Sequence, residues 1–264
     1  MELLLDKMET EEGQPVRYYW SAGHDRIEVN SLLGKAVRIV HTGNLYCIKC
    51  GRKSSRLFGQ GLCYPCFTTA PEAEECVLHP ELCRAHEGIA RDMEYAKHHC
   101  LIDHYLYLAA TDQIKIGVTR HTQIPTRWID QGASSAVIIA QTPNRYTAGC
   151  MEVILKKHFP DKTNWRSMLT NKIMPNPDFS SAIEKLPALI PVEWHTYLKT
   201  NQPIIEIHYP VLKYPDKVVS IDLLKTPDIS GTLTGIKGQY LIFSDGQTIN
   251  IRKHTGFEVK LEVE

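Results

Sequence analysis

Two C-x2-C pairs constrain the fold of this chain more than any other feature of its sequence. Cys47 and Cys50 form the first pair, and Cys63 and Cys66 form the second after twelve intervening residues. Four thiolates at this spacing can converge tetrahedrally on a zinc ion, at about 2.3 Å from each sulfur. A redox role is the main alternative for a C-x-x-C motif, but two pairs at the spacing of a zinc ribbon favour a structural metal site.

A second set of potential zinc ligands follows the first. The preferred set is Cys76, Cys83, His86 and Cys100, an ordinary Cys3His shell. Two residues separate Cys83 from His86, which is the spacing of a zinc knuckle. His79 could replace Cys100, and the alternative is that these residues are buried thiols and surface histidines. Both sites would have four protein ligands and no position for a substrate water. We therefore expect two zinc ions as structural cofactors.

The composition is typical of a globular protein. The chain has 264 residues, of which 43% are hydrophobic and 23% charged, and this length suffices for about two domains. No apolar run approaches the ~20 residues of a membrane span, and the first residues lack the apolar core of a secretory signal. We expect no membrane partner and a cytoplasmic location, where eight cysteines are better explained by metal than by disulfides.

Apolar periodicity predicts an α+β fold. Strand-like alternation occurs early in the chain, in its middle and near its end, at 26–30, 36–40, 104–109, 113–119, 135–140 and 257–264. Thr42–Asn44 reads as a turn, Asp245-Gly246 predicts a hairpin, and helical spacing covers 146–158. We expect four segments: N-terminal strands over 1–46, a zinc-binding region over 47–100, a small mixed α/β domain over 101–186, and a β-rich, barrel-like domain over 187–264 that the N-terminal strands can join.

Positive charge is concentrated in two places, although the formal net charge is zero. Residues 111–172 carry nine Lys/Arg against four acids, and the first C-x2-C region has basic residues but no acid between 45 and 70. Such stretches often contact phosphate backbones, so we expect DNA or RNA as a partner. The alternatives are that they balance thiolate charge or pair with the acidic 71–94 stretch. The candidate nucleic-acid-binding residues are Lys49, Arg52, Lys53, Arg56, Arg120 and Arg145.

The segment 105–152 resembles the GIY-YIG nuclease superfamily. The resemblance lies in Tyr105-Leu-Tyr107-Leu on one strand, Lys115-Ile-Gly117-Val on the next, Thr126-Arg127-Trp-Ile opening a helix, and Glu152 within a later helix. It implies a phosphodiesterase that uses Mg²⁺ or Mn²⁺ as a Lewis acid. Glu152 would hold the metal, Arg127 would contact phosphate, and Tyr107, more than Tyr105, would orient or deprotonate the attacking water. We expect Tyr107, Arg127 and Glu152 to face one cleft, with Lys115 nearby.

The sequence departs from the superfamily at two positions, which leaves its function open. Lys115 stands where the second motif has tyrosine, and the glycine of the first motif is missing. Lys115 could lower the pKa of a neighbouring phenol by favouring the phenolate, or it could mark a site that only binds nucleic acid. The candidate functions are therefore a metal-dependent nuclease, a non-catalytic DNA-, RNA- or ribonucleoprotein-binding module, and a structural interaction protein.

From residue 40 onward the chain resembles an uncharacterised prokaryotic family that joins cysteine-rich knuckles to this nuclease-like segment. The strings that carry the resemblance are Cys63-Tyr-Pro-Cys-Phe, Ala90-Arg-Asp-Met, Pro125-Thr-Arg-Trp-Ile-Asp-Gln-Gly-Ala and Gly235-Ile-Lys-Gly-Gln-Tyr. Because that family has no established function, the resemblance implies an architecture and not a reaction.

Overall fold

The fold is that of a computed structural model, which describes residues 1–22 and 25–264. The strands are β1 (Glu2–Leu4), β2 (Glu9–Glu11), β3 (Arg17–Ala22), β4 (Asp25–Glu28), β5 (Ala36–Leu45), β6 (His104–Ala110), β7 (Ile114–Arg120), β8 (Ser135–Thr142), β9 (Ile205–Glu206), β10 (Val219–Ile221), β11 (Asp228–Lys237), β12 (Tyr240–Phe243), β13 (Gln247–Asn250) and β14 (Phe257–Val263). The helices are α1 (Tyr64–Thr69), α2 (Met93–His99), α3 (Thr126–Asp130), α4 (Arg145–Leu155), α5 (Trp165–Leu169), α6 (Phe179–Glu184) and α7 (Leu186–Leu189). The α+β class predicted from the sequence is confirmed.

An open seven-stranded sheet joins the two ends of the chain. Its strand order is β1-β14-β5-β11-β12-β13-β10, and only β10 and β13 are parallel. The alternation in β14 buries Val259 and Leu261 and exposes Lys260, as its period of two predicts. Strand β5 joins this sheet as expected, and so does β1, whereas the strand predicted at 26–30 corresponds to β4, which belongs to a separate three-stranded sheet in the order β2-β3-β4. Among the described strands no sheet closes into a barrel, so the expected barrel-like closure does not form.

The turn predicted at Thr42–Asn44 lies inside a strand instead. Strand β5 runs through these residues to Leu45, and the pairing with β14 shifts register beside them. Thr42 Oγ1 and Asn44 Nδ2 each donate to the Glu258 carboxylate at 2.7 Å, while Gly43 takes a φ of 85°. These cross-strand bonds hold polar residues in a bulged ladder, which overrides their local preference for a turn.

A four-stranded sheet contains the three strands predicted at 104–109, 113–119 and 135–140, in the order β7-β6-β8-β9. Strand β6 is antiparallel to both β7 and β8, and β9, from the segment predicted to be a separate β-rich domain, pairs with β8. The side chains of β6 alternate between two cores. Leu106 and Leu108 pack with α4, α6 and α7, whereas Tyr107 and Ala109 pack with α3 and the seven-stranded sheet.

Two glycines allow close approach around this four-stranded sheet. A Cβ at Gly117 of β7 would collide with the Tyr107 hydroxyl group, and a Cβ at Gly149 of α4 would collide with the backbone of Pro80 and Glu81. The first glycine therefore makes room for the tyrosine of the neighbouring motif. The second lets the cysteine-rich segment pack directly on α4.

The cysteine-rich segment has two small cores. One contains Cys47, Leu62 and Cys63, and the other contains Cys76, Cys83, Cys100 and a few alanines. Cores of this size are stabilised by metal in many small domains. Among the described residues, no helix is long and apolar enough to cross a membrane.

Candidate functional site

The four cysteines of the two C-x2-C pairs lie together. The sulfur atoms of Cys47, Cys50, Cys63 and Cys66 all lie within 4.8 Å of one another. Cys50 Sγ and Cys63 Sγ are 3.8 Å apart, close to the ~3.8 Å between two sulfurs bound tetrahedrally at 2.3 Å from zinc. This cluster can hold one zinc ion with no open coordination position.

Nearby N–H groups favour the thiolate forms of Cys47 and Cys50, whereas the neighbouring Cys63 thiol raises the pKa of Cys66 to about 12. Burial raises the pKa of Cys47, but the backbone N–H groups of Cys63, Cys50 and Lys49 outweigh it and bring that pKa below its ordinary value. The Arg52 guanidinium, which donates to Cys50 Sγ at 3.4 Å, lowers the pKa of Cys50 to about 6. Arg52 therefore balances thiolate charge, one of the alternatives left open by the sequence.

The second cluster contains three of the four preferred ligands. Cys76, Cys83 and Cys100 have their sulfur atoms within 4.8 Å of one another, a donor set that can also hold zinc. His86 is outside this group, and its ring stacks on Tyr146 at a centroid distance of 4.3 Å. His79, the alternative ligand, is also outside it, with an exposed side chain whose Nδ1 lies 3.5 Å from Glu81.

The tyrosines of the nuclease-like segment differ in exposure. Tyr107 is fully buried, and its hydroxyl accepts a hydrogen bond from Gln131 Nε2 at 2.8 Å. Burial raises the pKa of Tyr107, although the Arg127 guanidinium beside it acts in the opposite direction. Tyr105 is partly exposed. The structure thus brings Tyr107 and Arg127 together but places the phenol in the protein core.

Lys115 and Glu152 are buried near this pair, since the charge of Arg127 acts on Lys115 and the charge of Glu152 acts on Tyr107. Lys115 is buried and its Nζ donates to Thr163 Oγ1; burial, and then the charge of Arg127, lower its pKa to about 7. Glu152 lies 3.4 Å from Lys156 Nζ, and burial raises the pKa of its carboxyl group. Glu152 belongs to α4, which packs on the sheet face opposite Tyr107. Among the described residues, groups of three or more candidate metal ligands occur only at the cysteine clusters.

A polar cavity of about 230 Å³ lies where all four segments of the chain meet. Gln60 from the first cysteine region, Tyr95 from the second, Arg127 from α3, and Lys7 and Arg252 from the two ends of the chain all contribute to it. Its positively charged lining residues are Lys7, Arg120, Arg127, Arg145 and Arg252. Of the five candidate catalytic residues, only Arg127 lines this cavity.

The positive charge of the cavity is only partly compensated, since Arg145 Nη1 also lies 3.9 Å from Cys76 Sγ. Asp130 is the only acidic residue of the lining described here, and it already pairs with Lys7 at 2.7 Å. Burial, and then the charge of Arg127, lower the pKa of Arg252. Burial likewise lowers the pKa of Arg120. Like charges gathered in a partly desolvated space repel one another, so this cavity favours an anion.

The other candidate nucleic-acid-binding residues lie outside the cavity, and three of them have partners. Lys49 forms a 2.6 Å ion pair with Glu72 of the acidic stretch, Arg52 contacts Cys50, and Arg56 lies over the Phe58 ring at 4.9 Å. Lys53 is exposed, in a backbone bridge with Tyr46. Arg120 and Arg145 are thus the two of the six that line the cavity.

Comparison with known proteins shows the family. A family model described as "Protein of unknown function (DUF2797)" matches residues 34–259, most of the chain. The chain belongs to this family. No curated protein and no solved structure matches it. Both cysteine clusters and the four cavity arginines lie within the matched range, and Lys7 lies outside it.

Three residues of the cavity lie outside the patterns that the sequence analysis used. Lys7 and Arg252 belong to opposite ends of the chain, in segments that otherwise read as strands and turns. His104 begins a predicted strand, where a single histidine is unremarkable in sequence. A single basic residue carries no signal of its own in the sequence, and only the folded chain brings these three together.

Proposed function

We propose that this protein binds nucleic acid by holding a backbone phosphate in the arginine-lined cavity, on a scaffold stabilised by two zinc ions. One observation carries the proposal. Four guanidinium groups, from Arg120, Arg127, Arg145 and Arg252, line a single cavity whose one acidic residue is already paired. Guanidinium groups suit phosphate oxygens, to which they can donate two parallel hydrogen bonds.

An arginine of the cavity forms hydrogen bonds with each of the two cysteine-rich regions. Arg145 Nη1 donates to the carbonyl oxygen of Cys76 at 3.1 Å, and its Nη2 donates to that of His99 at 3.1 Å. Arg252 Nη2 donates to Gln60 Oε1 at 2.9 Å, in the hairpin between the two C-x2-C pairs. In this proposal zinc is structural, and it fixes the backbone that orients the arginines.

A salt titration tests binding. Fluorescence anisotropy with labelled single- and double-stranded DNA and RNA should show affinity that falls steeply with salt, since each neutralised phosphate adds about 0.7–0.9 to the log–log slope. Arg127→Gln should weaken binding and reduce the log–log slope by about 0.7–0.9, the contribution of one phosphate contact. Arg166→Gln is the matched control, because Arg166 belongs to the same basic segment but is exposed beside Trp165, outside the cavity. Equal effects of the two changes, or no binding of any ligand at low salt, would overturn the proposal.

Metal-dependent phosphodiester cleavage is the second candidate. Two features support a nuclease-like core. Strands β7, β6 and β8 are neighbours in an antiparallel sheet, and helix α3 follows β7 and precedes β8 in the sequence. Arg127 also lies beside Tyr107. The burial of Tyr107 and the position of α4 on the other sheet face favour binding without cleavage.

A substrate panel separates the two candidates. The same oligonucleotides, incubated with Mg²⁺ or Mn²⁺, should remain intact if the protein only binds them. If metal-dependent cleavage occurs, it should be lost in Glu152→Gln while binding persists. Cleavage that survives both Glu152→Gln and Arg127→Gln would exclude this set of residues as the site.

A further inference from the structure

An aromatic cluster, formed by Phe58, Tyr64 and Phe67, lies on the first cysteine region. The Tyr64 ring makes an edge contact with the Phe58 ring at a centroid distance of 5.5 Å, and the Phe67 ring stacks on Phe58 at 5.7 Å. The Arg56 guanidinium lies over the Phe58 ring at 4.9 Å. Tyr64 itself is 62% exposed. Its ring is therefore held by Phe58 while most of its surface stays open to solvent.

Packing within the protein does not account for Tyr64. The small core beneath the aromatic cluster contains Cys47, Leu62 and Cys63, with Phe67 packed against it, and Tyr64 is outside this core. A ring that remains in water contributes little to folding through the hydrophobic effect, whereas it stabilises a complex in which a ligand covers it.

The charge around the aromatic cluster favours nucleic acid as that ligand. No acidic residue occurs between 45 and 70, and Lys53 and Arg56 are exposed and form no ion pair in the described part of the chain. An apolar protein partner would remove these charges from water without compensation. Positive charge beside an exposed aromatic ring suits a single-stranded nucleic acid, because the charges follow its phosphates while its bases stack on the ring.

The same hairpin reaches the arginine-lined cavity. The backbones of Phe58 and Leu62 exchange two hydrogen bonds, of 2.7 and 3.0 Å. Gln60, between them, lines the cavity and accepts a hydrogen bond from Arg252 at 2.9 Å. Since Phe58 is two residues from Gln60, their Cα atoms are at most about 7 Å apart. A strand with one phosphate in the cavity can therefore place a nearby base at the aromatic cluster.

We propose, on the basis of the nucleic-acid binding proposed above, that the first cysteine region binds the unpaired bases of a single-stranded nucleic acid, one of which stacks on Tyr64. In a duplex the neighbouring base pairs cover both faces of each base, so only unpaired bases have a face to offer. Every base has such a face, so this surface binds DNA and RNA strands alike. Tyr64 thus supplies what the cavity arginines cannot, because phosphates occur in single strands and duplexes alike.

Three DNA ligands of equal length test this inference. They are a single strand, the duplex of that strand, and an abasic single strand, which keeps the phosphates and lacks the bases. Tyr64→Ala should weaken binding of the single strand by about 5- to 150-fold, the range of one base–aromatic stack. It should change the affinity for the duplex and the abasic strand by less than about 2-fold. Single-stranded RNA of the same sequence should respond as the DNA strand does.

Further variants separate stacking from folding. Tyr64→Trp keeps an aromatic face and should retain binding of the single strand, whereas Tyr64→Leu keeps only an apolar side chain and should weaken it as Tyr64→Ala does. Tyr146→Ala is the matched control. Tyr146 is also exposed, at 38%, and also lies at the start of a helix, but it stacks on His86, outside the aromatic cluster and the cavity. Circular dichroism and zinc content establish that each variant is folded.

The outcomes separate this inference from the proposed function. If folded Tyr64→Ala binds the single strand as the natural protein does, or loses affinity for all three ligands equally, the role of Tyr64 is wrong. If Arg127→Gln still weakens binding of all three ligands in that case, the arginine-lined cavity binds nucleic acid and the proposed function stands. If none of the ligands binds at low salt, the proposed function fails, and this inference fails with it.

Discussion

Lys115 is a charged side chain whose burial affects the stability of the protein. The fold surrounds its ammonium group with protein. Thr163 accepts a hydrogen bond from it, and no ion pair of Lys115 occurs among the described residues. Its pKa of about 7 means that the native protein releases this proton well below the pH at which an unfolded chain does so.

The stability contribution of Lys115 should therefore depend on pH. Between about pH 7 and 10.5 the unfolded chain holds the proton and the native chain does not, so native stability rises with pH at up to about 1.4 kcal/mol per unit. We expect Lys115→Met to be more stable than the natural protein near pH 7 and to lose that advantage towards pH 10. Urea denaturation of both proteins at several pH values measures this. A difference in stability that is independent of pH would contradict it.

At the scale of elements, the two cysteine clusters hold together a segment with few apolar side chains. Each cluster joins short helices and turns around a very small core: Cys47, Leu62 and Cys63 in the first, and cysteines and alanines in the second. Because a structural zinc ion contributes its binding energy to folding, removal of the metal should unfold this segment.

The number of zinc ions is directly measurable. Freshly purified protein should contain about two zinc ions per chain, and Cys83→Ser should contain about one, because the second cluster loses one of its three thiolates. Cys150→Ser is the matched control, since Cys150 lies outside both clusters. Elemental analysis provides the readout. One zinc ion in both the natural protein and Cys83→Ser would show that the second cluster binds no metal, and two in both would show that Cys83 is not a ligand.

Loss of the second metal should also weaken nucleic-acid binding. The guanidinium group of Arg145 is held by carbonyl oxygens of the segment that carries Cys76 and Cys100. If that segment unfolds, Arg145 loses its orientation towards the cavity. We expect weaker binding for Cys83→Ser than for Cys150→Ser in the salt titration, and equal affinities would show that the metal does not support the cavity.

At the scale of the whole molecule, the first residues of the chain complete a core built mostly from its last strands. Leu5 is 1% exposed and belongs to the core of the seven-stranded sheet, whereas Leu4 is 40% exposed. Leu5 N donates to Phe257 O at 2.8 Å, and Gly256 N donates to Leu5 O at 2.7 Å. The first residues of the chain therefore belong to the same sheet and core as the C-terminal strands.

These adjacent leucines form a matched pair for a stability test. Leu5→Ala should lower the free energy of unfolding by about 2–5 kcal/mol, because it leaves a cavity in the core. Leu4→Ala should change it by no more than about 0.5 kcal/mol, as an exposed position. Guanidinium denaturation compares both with the natural protein. Similar losses in the two variants would argue against this arrangement of the N-terminus.

What the sequence by itself determined is local. The spacing of Cys47, Cys50, Cys63 and Cys66 predicted one cluster, and the period of two predicted strands such as β6 and β14. These signals work because backbone geometry relates residues a few positions apart. The turn predicted at Thr42–Asn44 does not form, because hydrogen bonds to Glu258, more than two hundred positions away, override the local turn preference.

Only the tertiary structure decided the composition of the cavity and the second cluster. Arg252 forms a hydrogen bond with Gln60, 192 positions away in the sequence, and Lys7 forms an ion pair with Asp130. No local sequence pattern predicts such long-range contacts. His86 was a plausible ligand from its spacing, but a side chain can rotate, and here its ring stacks on Tyr146. The sequence supplies the chemistry of each side chain, but long-range packing decides which side chains share a site.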